Sequence, residues 1–168
     1  CMDNSMQIFG HGVISPSELW NLYTRVAASV DIWRPDCFAA SAKQCGLKRI
    51  AARRGYYSFS GPYDLKGQAP VTAGHIEEIR LFIGNAPRDV STEVWEAESP
   101  KISILASDYS EMFKRALGTP RYANNNTIFE YDGHRIRVLA TNSVWVVLSS
   151  FAVNAMLPND WWPSPVHT

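Results

Sequence analysis

The sequence predicts an α+β domain in which N-terminal helices precede a small antiparallel β-barrel or sheet. Three observations predict it: a capped helical face that starts at Ser15, glycine and proline punctuation that begins at Gly55, and an Asp132-Gly133 hairpin between apolar alternations. The 168 residues match one domain, and a globule of that length hides about 70% of the surface of its unfolded chain. No repeat or linker divides it. The chain therefore reads as helical over 1–55, strand-rich over 56–157 and a Pro/Trp tail over 158–168.

Ser15-Pro16-Ser17-Glu18 has the form of a helix start, because Ser15 can cap, Pro16 fits the first turn and Glu18 can reach back to complete a capping box. Leu19, Leu22, Tyr23, Val26, Ala27 and Val30 then recur on one helical face, and Arg34-Pro35 is expected to end it. Asp36 is the expected cap of a second helix through about Gln44, with Gly46 as its stop and Leu47 to Arg54 as a third, short, basic stretch. From Gly55 the period changes to two, with Tyr57, Phe59 and Tyr63 alternating.

Ile76 to Ile83 fits both periods, and the alternation of Ile79, Leu81 and Ile83 favours a strand. Ser99-Pro100 predicts the start of another strand, Lys101 to Ala106, since an edge or first position tolerates a missing amide donor. Ser107 and Asp108 are expected to cap a short helix or turn ending at Gly118. Asp132-Gly133 supplies the two positive-φ positions of a type I′ turn, which sets Tyr131 against His134, Glu130 against Arg135 and Phe129 against Ile136. Val144, Val146 and Leu148 predict a final strand.

Hydrophobic residues make up 46% of the chain and charged residues 19%, which is globular composition rather than that of disorder. Lys plus Arg and Asp plus Glu number 16 each, so there is no net field toward nucleic acid or an anionic membrane, and a charge-driven partner must be met by a local patch. Cys1, Cys37 and Cys45 form an odd set without a CxxC pair, which predicts reduced thiols in an intracellular setting. The apolar run Val144 to Leu157 is interrupted by Ser149, Ser150 and Asn154 and is too short for a bilayer; no usual signal peptide is seen, so no membrane role is expected. Cys1 at the first position reads as an accident of numbering rather than a nucleophile.

Two constellations could carry chemistry. Cys37 near a helix start, with His75 or His134 as base, faintly echoes a papain-like amidase of the effector or endolysin kind, but Phe38 replaces the small residue expected next and no orienting third group can be named. Ala42, Cys45-Gly46 and Leu47 match a helix-turn-helix turn, with Lys48, Arg49, Arg53 and Arg54 on a reading helix; Ala52 and Gly55 are poor fillers for its lock. An inhibitor or immunity protein is a further alternative. His11, His75, His134 and His167 are scattered, and Gly10-His11-Gly12 lacks the Lys-Ser of a phosphate loop, so no metal or cofactor is expected.

From about Tyr57 to Phe151, a strand, a polar excursion (Gly84 to Glu98), a Ser99-Pro100 strand start, a glycine-bearing connection, a hairpin and a last strand follow in order. That order resembles the head–tail joining, or head-completion, proteins of tailed bacteriophages; the helices up to Arg54 lie outside it. The resemblance implies a small β-barrel with helical additions and a non-enzymatic subunit that forms a ring with its own copies. Its partners would be portal or adaptor proteins, tail proteins and, without sequence preference, packaged DNA, in a virion assembled in the host cytoplasm. The loop Asn85 to Glu98, with Arg88 and Trp95, would make contacts, while Phe129, Ile136 and Val138 would be barrel core. In the tail, Trp161 and Trp162 between prolines are further candidates for an interface, or for a lid on their own domain.

Overall fold

The computed structural model describes residues 6–155; Cys1, Trp161, Trp162 and His167, for which the sequence raised expectations, lie outside them. The fold is α+β, with the helices interspersed rather than confined to the N-terminal third and the sheet open rather than closed into a barrel. A two-stranded hairpin, β1 (Gln7–Ile8) and β2 (His11–Gly12), leads into helix α1 (Pro16–Ala28). A 3-10 turn (Asp31–Trp33) joins α1 to α2 (Pro35–Gln44), after which come β3 (Lys48–Arg53) and β4 (Tyr56–Ser60). A second 3-10 turn (Pro62–Asp64) precedes β5 (Lys66–Thr72), β6 (His75–Ile76) and β7 (Ile79–Ile83). The long helix α3 (Thr92–Leu117) then crosses to β8 (Arg121–Ala123), β9 (Asn126–Tyr131), β10 (His134–Ala140), β11 (Val144–Ser150) and the short α4 (Phe151–Asn154).

Eight strands lie in the order β3-β4-β5-β7-β11-β10-β9-β8, all antiparallel, with β6 paired to β5. Strands β3 and β8 are the edges, because β7 and β11 pair at the centre and α3 carries the chain from there to the far side. The expected hairpin register holds: Tyr131 faces His134, Glu130 faces Arg135 and Phe129 faces Ile136.

Period two sorts each central strand into an apolar and a polar side. Ile79, Leu81, Val146, Leu148, Ile136 and Val138 point to one face, where Leu19, Leu22, Tyr23 and Val26 of α1 meet them. Phe113 of α3 packs on Phe129, and Phe38 of α2 packs on Tyr57 and Phe59, so the three helices share that face. The opposite face carries Arg80, Arg135 and Arg137, ion-paired with Glu78 and Glu130. Glu78 is buried there and is held by both Arg80 and Arg137.

Helix α1 starts as expected, with Ser15 Oγ accepting from the Glu18 amide and the Glu18 carboxylate accepting from the Ser15 amide. It ends at Ala28, so Val30 is exposed, and Pro35 opens α2 with Arg34 as its flanking residue rather than Asp36. Further expectations are overturned: Ser107 and Asp108 cap no separate helix but lie inside α3. Lys101 to Ala106 is helix, not strand: the stripe Ile102, Leu105, Tyr109 and Phe113 is buried against the sheet, Ile104 is exposed, and Pro100 sits inside α3. The helix begins at Thr92 behind the Ser91 cap, so the expected loop Asn85 to Glu98 is loop only to Ser91. The basic stretch is strand β3, because its pairing with β4 completes the sheet.

Candidate functional site

Eight non-glycine residues among those described have positive φ. Five sit at two-residue hairpin tips, Phe9-Gly10, Ala73-Gly74, Asn124-Asn125 and Asp132-Gly133, where a type I′ turn demands that conformation. The other three, Arg49 (φ 54°), Tyr63 (φ 59°) and Asp64 (φ 53°), belong to no such tip. Left-handed backbone in side-chain-bearing residues costs free energy and persists where surrounding bonds over-determine it. All three converge on one corner of the sheet.

The bonds that hold this corner are explicit. The Gly61 amide donates to the Leu65 carbonyl at 2.9 Å and the Leu65 amide to the Pro62 carbonyl at 3.3 Å, closing the loop around Tyr63 and Asp64. Tyr63 Oη donates to Glu18 Oε2 at 2.9 Å, tying the loop to the start of α1. That carboxylate raises the Tyr63 pKa through the hydrogen bond, and the phenol stays a donor. Arg49 lies at a bulge between Lys48 and Ala51 in β3, and its Nη1 meets Asp64 Oδ1 at 3.1 Å.

Two clefts flank Asp64 and Lys66. One, of about 390 Å³, runs under the β1–β2 hairpin past His11, Tyr63 and Asn85. The other, of about 420 Å³, lies on the helix-free face between Arg49, Ser58, Ser60 and Lys66. Its floor is close-packed, since Gly67 stands opposite Phe59 and the Phe59 ring lies over the glycine. Arg49, Asp64 and Lys66 are exposed, and Lys66 has no ion-pair partner among the described residues.

Charge is sorted along the molecule although its total is zero. Residues 47–72, covering β3, β4 and β5, hold Lys48, Arg49, Arg53, Arg54 and Lys66 against a single acid, Asp64. Helix α3 holds five acids and three bases. Lys48, Arg49 and Arg53 stand on the β3 edge with Arg54 in the turn beyond it, all exposed.

The sequence candidates are dispersed. With Lys48–Arg53 in a strand, the reading helix of a helix-turn-helix is not formed, and its bases sit on a sheet edge instead. Cys37 is half-buried in the first turn of α2, where its amide donates to the Arg34 carbonyl at 3.0 Å; among the described residues no hydrogen bond joins it to His75 or His134. His134 stacks on Trp33 with ring centroids 5.9 Å apart, and burial lowers its pKa. His75 pairs with Thr72 across the β5–β6 turn. Arg88 is exposed in the loop before α3. Trp95 is inside α3, half-buried and stacked on Phe9, so it packs the N-terminal hairpin rather than projecting from a loop.

Among the described residues, no group of three or more His, Cys, Asp and Glu side chains stands together as a metal site, and no helix is long and apolar enough to cross a membrane. Sequence reasoning singled out the three bases of β3 and Arg54 beyond it but missed Tyr63, Asp64 and Lys66 as members of the corner. The available signal was Gly61-Pro62-Tyr63-Asp64, a turn-forming run beside a one-signed charge tally. No family model matches the chain, and neither the curated proteins nor the solved structures contain a match.

Proposed function

We propose that this protein is a non-enzymatic binding subunit that grips a nucleic-acid backbone along the β3 edge of its sheet without reading sequence. The segregation of charge carries this reading: five bases and one acid between residues 47 and 72 of a neutral chain. Lys48 to Arg53 spans about 17 Å at the rise of a strand, and duplex DNA presents one phosphate charge per strand about every 3.4 Å of axis. A rigid row of exposed bases on that scale neutralises several phosphates at once.

Charged edge strands also guard a sheet against pairing with other chains. Edge protection accounts for Lys48, Arg49 and Arg53 but not for Lys66, which stands two strands inward beside a cleft. Phosphate contacts position a duplex and carry no sequence information. Binding of a duplex of arbitrary sequence, followed by fluorescence anisotropy at 50 mM salt, tests the reading. The Lys48→Gln/Arg53→Gln/Arg54→Gln variant, altered at exposed positions alone, is expected to bind roughly tenfold more weakly or worse on every sequence tried. Equal binding by the two proteins refutes it.

A second reading, a ring-forming head–tail joining subunit, rests on the run from β7 through β9, β10 and β11, which keeps the strands that resemblance uses apart from Lys101 to Ala106. The two differ in assembly. A closed ring of copies by native mass measurement supports the joining subunit, and a monomer with the salt-sensitive binding above excludes the ring.

A further inference from the structure

The Pro62–Asp64 turn has the construction of a held latch. Two consecutive residues, Tyr63 and Asp64, are left-handed, one is tied to Glu18 and the other to Arg49, and the cleft between Arg49 and Lys66 opens beside them. The Arg49–Asp64 pair is fully formed at 3.1 Å although both side chains are well exposed, 68% and 75%. An exposed pair of this kind is worth little, so it does not repay the left-handed backbone on both of its members. Its position has a different consequence: the Asp64 carboxylate sits on the guanidinium that faces the cleft.

Resting on the β3 edge as an anion-contacting surface, we infer that Asp64 is an internal stand-in for a phosphate-type oxyanion, and that such an anion enters by replacing the Asp64 carboxylate on Arg49. The donor set fits that chemistry. A guanidinium offers paired N–H donors to a planar or tetrahedral oxyanion, the Lys66 ammonium supplies a second charge, and the Ser58 and Ser60 hydroxyls line the same cleft. Arg53 Nε donates to Ser58 Oγ at 3.2 Å, which joins this corner to the rest of the basic edge. No covalent bond is made or broken in the exchange. Asp64 moves from Arg49 to solvent, and the anion takes its hydrogen bonds.

Asp64→Asn is the discriminating substitution, because asparagine tolerates left-handed φ better than other side chains and so preserves the turn while removing the competing charge. Inorganic phosphate titrated into ¹⁵N-labelled protein at low ionic strength is the probe, read at the backbone amides of Arg49, Lys66 and Gly67. Asp64→Asn is expected to bind phosphate roughly twofold to fivefold more tightly than wild type, with shifts at those amides, and Arg49→Gln in the same background to abolish the gain. A phosphate affinity within twofold of wild type, or shifts confined to another part of the chain, overturns the inference. Duplex binding separates the sources. If Asp64→Asn strengthens phosphate and duplex binding together, the site serves a polymer backbone; if phosphate alone, it serves a free anion. If phosphate binding is unmoved while duplex binding still depends on Lys48, Arg53 and Arg54, the stand-in role fails and the edge reading survives.

Discussion

Gly67→Ala is the sharpest structural test of the corner that the proposed anion site occupies. Gly67 lies in β5 directly opposite Phe59 in β4, and a Cβ added there would fall 2.1 Å from Phe59 Cε1, 2.2 Å from Cζ and 2.9 Å from the Arg80 carbonyl oxygen. Carbon atoms in contact prefer about 3.5 to 4.0 Å, so the ring would have to retreat by roughly 1.5 Å. It has nowhere to go. Phe59 is 4% exposed and its ring centroid is 6.0 Å from that of Phe38, so the displacement passes into α2. Overpacking of a filled core costs about 1–3 kcal/mol, and the entropy regained by replacing a strand glycine offsets less than about 1 kcal/mol. For a chain of this size, each kcal/mol moves Tm by about 2–4 °C, so thermal unfolding followed by circular dichroism should show a fall of roughly 2–10 °C. Adding Phe59→Leu, which deletes the two clashing ring carbons, should make the double variant more stable than the sum of the singles by about 0.5–3 kcal/mol. A Gly67→Ala protein within about 0.5 kcal/mol of wild type, or one uncoupled from Phe59→Leu, would refute the packing described for this corner.

Glu77 is buried, accepts from Thr72 Oγ1 at 2.7 Å and has its pKa raised, chiefly by burial. A raised carboxylate favours folding below its unfolded pKa of about 4.3 and loses that contribution as pH rises through the folded value. Glu77→Gln should therefore be more stable than wild type at pH 7 and lose that advantage near pH 4 in urea titrations; an advantage that grows on acidification contradicts the assignment. Cys37→Ser should fold, unfold within about 1 kcal/mol of wild type and bind duplex DNA unchanged. Loss of a biological activity in that folded variant would instead make Cys37 a working thiol.

Local chemistry made several elements legible. The capping box of α1, the stop of α2 at Cys45-Gly46 and the Asp132-Gly133 register all depend on neighbours within a few residues, and the structure has each of them. The errors arose where distant packing decides. Ile102 and Ile104 alternate like a strand, yet Ile104 is exposed, and the buried stripe that fixes α3 becomes visible only when Leu105, Tyr109 and Phe113 are counted with Ile102. Proline inside that helix removes one backbone bond; the stripe's burial against β9 to β11 outweighs it. Ala51, Ala52 and Arg53 favour helix by propensity, but pairing with Tyr56 to Ser58 makes them an edge. The candidate site was half legible for the same reason: the bases are contiguous in sequence, whereas Tyr63, Asp64 and Lys66 join them across strands.

The salt dependence of duplex binding tests the central claim most directly. Neutralising three to five phosphates gives a slope of log K against log salt of about −3 to −4.5, so affinity should fall roughly a hundredfold between 50 and 200 mM, with a Kd of about 10⁻⁴ to 10⁻⁶ M at physiological salt and no preference among sequences. The Lys48→Gln/Arg53→Gln/Arg54→Gln variant should lose up to three units of that slope, since each lost base removes about one phosphate contact. A slope near zero, or one that the triple variant leaves unchanged, would show that the β3 edge is not where this protein meets its partner.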